Sequence, residues 1–208
     1  MSAKLIDGKS LAAGIIARAK RDCADLGYSP TLAAVIVGDD PASQQYVRLK
    51  EKACRESGVH FERLSFAADA KINLVVRAVE NLNRRQDVDG ILVQLPLPNH
   101  LDERVIIQTI DPEKDADGFH PNNVHALANG SPRLVPGLAA GILALIKSTG
   151  ESLRGKRAVV VANSKIFFEP LSVVLGSAGI EASYARPDEA SQRTRQADIV
   201  VMAVSRPV

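Results

Sequence analysis

Apolar and polar positions alternate along the chain in a rhythm that predicts strands and helices in turn. Residues 9–26 (KSLAAGIIARAKRDCADL) repeat apolar residues at helical spacing, with Leu11, Ile15, Ile16 and Ala19 on one side and Gly27 as the stop. TLAAVIVG (31–38) is a continuous apolar run ended by Gly38, the pattern of a strand buried on both faces of a parallel sheet. A helix is predicted next, capped by Asp39 or Asp40, with Pro41 in its first turn and Gly58 beyond its end. FERLSF (61–66) alternates as a short strand, and a helix is expected over about 70–85. DGILVQLPLP then carries a strand over roughly 90–95, cut short by Pro96 and Pro98.

Residues 99–136 are richer in Asp, Asn, Pro and Gly and read as the region between two lobes. A second, shorter series follows: helix 138–148, strand 157–162, helix 170–178, strand 181–185, helix 188–196 and strand 199–204. Strands alternating with helices imply βαβ crossovers and an α/β fold of two lobes. The second lobe is expected to be a shortened Rossmann-like parallel sheet, set against the six strands usual for a doubly wound nucleotide-binding domain. Its last strand and the apolar helix 138–148 call for cover by another chain or a further segment, and a homodimer is the simplest cover.

Composition narrows the function classes. Of 208 residues, 46% are hydrophobic and 24% charged, which predicts a packed globular core. The net charge of +2 is too mild to argue for nucleic acid, and no basic block interleaved with aromatics supports it. Cys23 and Cys54 lie in no ligand or disulfide spacing, so neither a zinc site nor a disulfide framework is expected. The first residues lack the basic-then-apolar run of a signal peptide and no apolar stretch approaches membrane-spanning length, so a cytoplasmic location is expected.

Candidate chemistry gathers where strands end. Ser43, Tyr46 and Lys50 stand at i, i+3 and i+7 on the helix after the first strand and share a face. A phenol and an amine four residues apart can share a proton, and a desolvated lysine can act near neutral pH; a solvated helix face is the plainer reading. Gln94 closes an apolar strand just before a Pro-rich turn, so its amide either bonds the turn backbone or points into the crevice. In KDADGFHP (114–121), Asp115, Asp117 and His120 lack further ligands at a metal-binding spacing. Asp117 can accept paired N–H donors from an aminopyrimidine-like ring, or it can simply shape an Asx turn.

Taken together, VGDDPASQQYVRLKEKAC (37–54), DGILVQLPLP (89–98) and DPEKDADGFHPNNV (111–124) resemble the methylenetetrahydrofolate dehydrogenase/methenyltetrahydrofolate cyclohydrolase family. The likeness continues more weakly through SPRLVPGLAAGIL (131–143) and ADIVVMAVSRP (197–207). It implies a catalytic folate-binding domain over 1–118 and an NAD(P)-binding type domain over 119–208. The implied chemistry is reversible oxidation of 5,10-methylenetetrahydrofolate, with NADP or NAD taking the hydride, and hydrolysis of the methenyl product to 10-formyltetrahydrofolate. By position, Lys50 matches the family's catalytic lysine and Tyr46 its partner tyrosine, which also lines the folate cleft. Gln94 matches the glutamine that adjusts the lysine, and Asp117 the acid that binds the pterin. The resemblance also implies a dimer.

The departures sit in the second lobe. The family's G-R-S-x-x-V-G-x-P motif aligns with Ala162 to Pro170, keeping Ser164 and Pro170 but replacing both glycines, by Ala162 and Phe168, and the arginine, by Asn163. Phe168 is expected to fill the space glycine leaves for the phosphates, and Glu169 to repel them. Pro136-Gly137-Leu138-Ala139 replaces the family's P-C-T-P, and the family's Pro-Gly-Gly-rich C-terminal portion has no counterpart in these residues. Cofactor contacts are therefore assigned only to Ser164 and Asn163, with NADP as the family expectation. The cyclohydrolase step is the better preserved, and a non-catalytic folate-binding or regulatory paralogue is the alternative.

Overall fold

A computed structural model describes residues 3–204; the closing Ser-Arg-Pro of the last resembling segment lies outside them. The chain forms two compact units, one spanning Asp7–His120, the other running from Pro121 onward and including the residues just before Asp7. Each contains a three-stranded parallel sheet, as the alternation of strands and helices requires.

In the first unit, helix α1 (Gly8–Asp25) is followed by β1 (Thr31–Val37), α2 (Pro41–Ser57), β2 (His60–Phe66), α3 (Ile72–Arg84), β3 (Gly90–Val93) and α4 (Glu103–Thr109). The strand order is β2-β1-β3, and β1 pairs in parallel on both sides, Val35 lying opposite Leu64 and Val93. Five consecutive β1 residues, Ala33–Val37, are buried, so both faces of the strand are covered. Ala33, Val35 and Val37 pack with Val75, Val79 and Leu82 of α3 and Ile106 of α4. Ala34 and Ile36 are buried on the opposite face.

Helix α2 starts and stops on side-chain and backbone signals. The carboxylate of Asp40 accepts the Ser43 N–H at 2.8 Å, a bond that holds the Asp40 carboxyl below its usual range. Gly58 ends the helix in the left-handed region at φ 84°, a conformation any L side chain would strain. Helix α1 differs from expectation. None of its residues is fully buried, and of the apolar residues on its one side Ile15 is 54% exposed.

The second unit holds α5 (Pro121–Ala128), α6 (Gly137–Lys147), β4 (Arg157–Ala162), α7 (Lys165–Ser177), β5 (Glu181–Ala185), α8 (Ala190–Arg193) and β6 (Ile199–Ala203), with strand order β5-β4-β6. Leu127, Ala139, Leu171, Val174 and Leu175 cover one face of β4. Two expectations fail in detail, and two helices were not foreseen. The region between the lobes holds α4 and α5, each too short to show a helical period. Helix α7 begins five residues before Pro170, because Ser164 caps it by accepting the Ile166 N–H and Phe167 and Phe168 pack on the core. The helix expected over 188–196 breaks into two 3-10 turns around α8, only Ala190 being buried to hold it.

The segment after α4 is fastened to α3. Lys114 donates from Nζ to the carbonyls of Leu82, Asn83 and Arg85 around the C-terminal end of α3, the Leu82 carbonyl also accepting the Arg85 N–H. Asn83 adds two bonds, Nδ2 to the Thr109 carbonyl at 2.7 Å and Oδ1 from the Asp111 N–H at 2.9 Å. Beyond Lys114 the chain runs beside β3, Ile91 pairing in parallel with Asp115. Gly90 leaves room for that approach: a Cβ there would meet Leu32 Cδ1 at 3.2 Å and Ala116 Cβ at 3.5 Å. Replacing Lys114 by Met should therefore lower stability by about 2 kcal/mol, the scale of charge-assisted bonds. A urea titration checks this through a lower midpoint at unchanged slope.

Candidate functional site

Parallel pairing sends the chain out of β1 and β3 at the same edge of the sheet. In open α/β sheets that carboxyl edge is where ligands bind. Gln94 follows β3 directly, and its N–H donates to the Val35 carbonyl at 2.9 Å. Its side-chain amide donates from Nε2 to the Leu95 carbonyl at 2.7 Å, while Oε1 is buried without a partner among the described residues. One half of the amide thus braces the turn backbone, and the other holds an unused acceptor. A buried acceptor left open is unfavourable unless a ligand donor completes it.

From α2, Lys50 brings Nζ to 3.7 Å from Asp117 Oδ1, joining two of the expected site residues. The lysine side chain keeps 36% of its surface exposed and the aspartate 29%, so Lys50 is not the desolvated amine the helix pattern allowed. Tyr46, one turn earlier, is 60% exposed, and no hydrogen bond joins it to Lys50 or Lys50 to Gln94 among the described residues. Ser43 is 5% exposed and lies at the buried start of the same stripe. The shared face therefore descends from solvent at Tyr46 into the protein at Ser43.

The two acids of the Lys114–Pro121 loop divide their work. Asp115, 2% exposed, accepts the Gly118 N–H at 3.1 Å and the His120 N–H at 2.9 Å. The turn-forming carboxylate is thus that of Asp115 rather than Asp117, a role the sequence reading missed and the D-x-D-G spacing could have signalled. Asp117 keeps its carboxylate for Lys50. Burial pushes the Asp117 carboxyl above its ordinary range; Lys50 opposes the shift and the charge of Asp115 adds to it.

In the second unit, Asn163 is exposed in the turn between β4 and α7, and Ser164 spends its hydroxyl oxygen on the Ile166 N–H. The Phe168 ring lies 5.7 Å from that of Tyr184 on β5, whose hydroxyl donates to the Ala162 carbonyl, and it packs against the core. Lys165 places a cation in the first turn of α7, and Arg186 follows β5 directly, where such sheets carry an arginine for a 2′-phosphate. These donors fit a dinucleotide phosphate. Arg186 is paired with Asp188 and Glu189, each at 3.3 Å.

A parallel-sheet unit with a Lys–Asp pair at its carboxyl edge, followed by a Rossmann-like parallel sheet, defines a two-domain α/β protein. Residues 6–117 match the sequence profile of the tetrahydrofolate dehydrogenase/cyclohydrolase catalytic domain, and residues 136–208 that of its NAD(P)-binding domain. The chain belongs to the tetrahydrofolate dehydrogenase/cyclohydrolase family. It is 42% identical over 208 residues to the bifunctional protein FolD of Acidiphilium cryptum, covering 99% of this chain and 75% of that one. With the bifunctional protein FolD of Methanospirillum hungatei the identity is 41%, over 97% and 73% of the two chains. Among solved structures, Trypanosoma brucei FolD, complexed with NADP cofactor and an inhibitor, superposes with a TM-score of 0.87 at 32% identity, covering 100% of this chain and 74% of that one. The bifunctional FolD of Campylobacter jejuni gives 0.83 at 36% identity, over 98% and 74%.

The raised carboxyl has a consequence for stability. The folded chain holds the Asp117 proton more tightly than the unfolded chain, so stability falls as pH rises from the ordinary carboxylate range through the raised value. Asp117→Asn should therefore be more stable than wild type at about pH 7, with the gap closing near pH 3, where the acid is protonated in both states. Urea midpoints at the two pH values decide it, and a lower midpoint for the variant at neutral pH is the contrary result.

Proposed function

We propose that this chain interconverts 5,10-methylene-, 5,10-methenyl- and 10-formyltetrahydrofolate, with the folate-binding domain over residues 1–118 and the NAD(P)-binding domain over 119–208. The observation that carries the reading at residue level is the Lys50–Asp117 pair, 3.7 Å apart at the carboxyl edge of the first sheet. The relatives compared above are bifunctional enzymes, and nothing in them favours a non-catalytic paralogue.

In this reading Asp117 accepts N–H bonds from the pterin, and the exposed ring of Tyr46 lines the folate cleft. The methenyl carbon is an amidinium electrophile, so hydrolysis needs a water held in place and relieved of a proton. Lys50, as the neutral amine, takes that proton at Nζ, and the Asp117 carboxylate beside it pairs with the ammonium so formed. Gln94 offers its open Oε1 to a donor on the substrate or on the water.

For the oxidation step, NADP when bound accepts the hydride. Asn163, Ser164, Lys165 and Arg186 are the residues proposed to hold it, Arg186 at the 2′-phosphate. The protein is proposed to act as a homodimer in the cytoplasm; among the described residues no helix is long and apolar enough to cross a membrane.

Purified protein should speed the loss of methenyl absorbance from 5,10-methenyltetrahydrofolate above the buffer rate, and Lys50→Ala should slow that by about 100-fold or more. Equal decay with and without protein would end the proposal. Arg186→Ala should weaken NADP binding by about tenfold while leaving NAD nearly unchanged, as loss of a phosphate partner requires. Isothermal titration with each dinucleotide checks it, and equal loss for both would remove Arg186 from the 2′-phosphate.

A further inference from the structure

The Asp115 carboxylate has no place in the chemistry just described, yet it is the more deeply buried of the two acids in its loop. It stands where the chain leaves its parallel pairing with β3, Ile91 lying opposite Asp115 and the Ala116 N–H donating to the Ile91 carbonyl at 3.1 Å. From that fixed point its two oxygens reach forward. Oδ1 accepts the Gly118 N–H at 3.1 Å and Oδ2 the His120 N–H at 2.9 Å. Asp117 lies inside the turn so formed, with Gly118 at φ 73° reversing the chain immediately after it.

We infer that Asp115 is the positioning residue of the folate site, closing the Asp115–His120 turn so that the Asp117 carboxylate is held toward Lys50 before substrate arrives. The inference rests on the proposed function, since it names what fixes the acid assigned to the pterin. An aspartate on an exposed loop loses conformational freedom whenever it binds, and a turn already closed by two charge-assisted bonds removes that loss. Only a carboxylate does this. An amide presents one acceptor, so Asp115→Asn sets an NH2 group against one of the two N–H donors and opens the turn without changing its size. Asp115 also places a negative charge near Asp117, opposite in effect to that of Lys50 on α2. Asp115 touches neither reacting atom in this scheme and acts through Asp117.

The test compares wild type, Asp115→Asn, Asp117→Asn and the double variant in hydrolysis of 5,10-methenyltetrahydrofolate. Asp115→Asn should raise KM about tenfold with kcat within about threefold, and should add little to KM once Asp117 is already Asn. A fall in kcat at unchanged KM marks a loss of folded enzyme only and overturns the inference, as does a full tenfold rise in KM in the double variant. If the wild type shows no turnover, the proposed function fails separately. The dissociation constant for 5-formyltetrahydrofolate across the same four proteins must then show the same pattern, or the inference fails too. Should Asp115→Asn not fold, wild-type hydrogen exchange decides. The Gly118 and His120 amides must exchange at least about tenfold more slowly than in an open chain and slow further with 5-formyltetrahydrofolate; exchange at the open-chain rate in both states overturns the inference.

Discussion

Strand β1 is paired in parallel along both edges and buried on both faces, and the first unit is organised by that constraint. A strand so enclosed favours apolar side chains and turns most of its backbone groups to β2 and β3. Because both pairings are parallel, every chain exit lies at one edge. Helix α2, carrying Tyr46 and Lys50, leaves from the end of β1, and Gln94 leaves from the end of β3. The extra pairing of Asp115 with Ile91 extends the same direction by one more segment, delivering Asp117 two residues further on. Polar groups far apart in sequence are thus brought to one edge by hydrogen bonds made in the apolar interior.

The far side of that arrangement is the end of α3. A helix terminus leaves carbonyls without donors, and Lys114 supplies three from a single ammonium while Asn83 ties the strand of chain on either side of Ile110. A loop fastened at that point enters the site from a defined place, so a short carboxylate such as Asp117 can meet Lys50 with no secondary structure of its own. The site consequently depends on two kinds of support. Lys50 stands on a helix with both ends capped, whereas Asp117 stands on a turn shaped by its neighbour Asp115.

Much of this was legible in the chain because local rules and tertiary demand agree. Asp39 or Asp40, Pro41 and Gly58 bracket α2, with Asp40 proving the cap, and the continuous apolar run TLAAVIV forms the enclosed strand it suggests. Where the two part, the reading failed. Helix α4 has only seven residues, too few for a period, and is fixed by burial of Ile106 and Ile107. Pro170 suggested a helix start, but the cap at Ser164 and the packing of Phe167 and Phe168 carry α7 through it. The packing of Phe168 on Tyr184 was likewise beyond local rules, since Tyr184 lies on another strand. At the site, Lys50 and Asp117 could be named but not their 3.7 Å approach. Asp115 and Asp117 looked alike until backbone N–H groups chose one of them.

The central claim is that Tyr46, Lys50, Gln94 and Asp117 serve one folate-binding site. Titration of isotope-labelled protein with 5-formyltetrahydrofolate, followed through the backbone amides of these four residues, tests it most directly. The account predicts that all four resonances move and saturate together with a single dissociation constant. Shifts confined to other segments, or no saturable shift in these four, would contradict it.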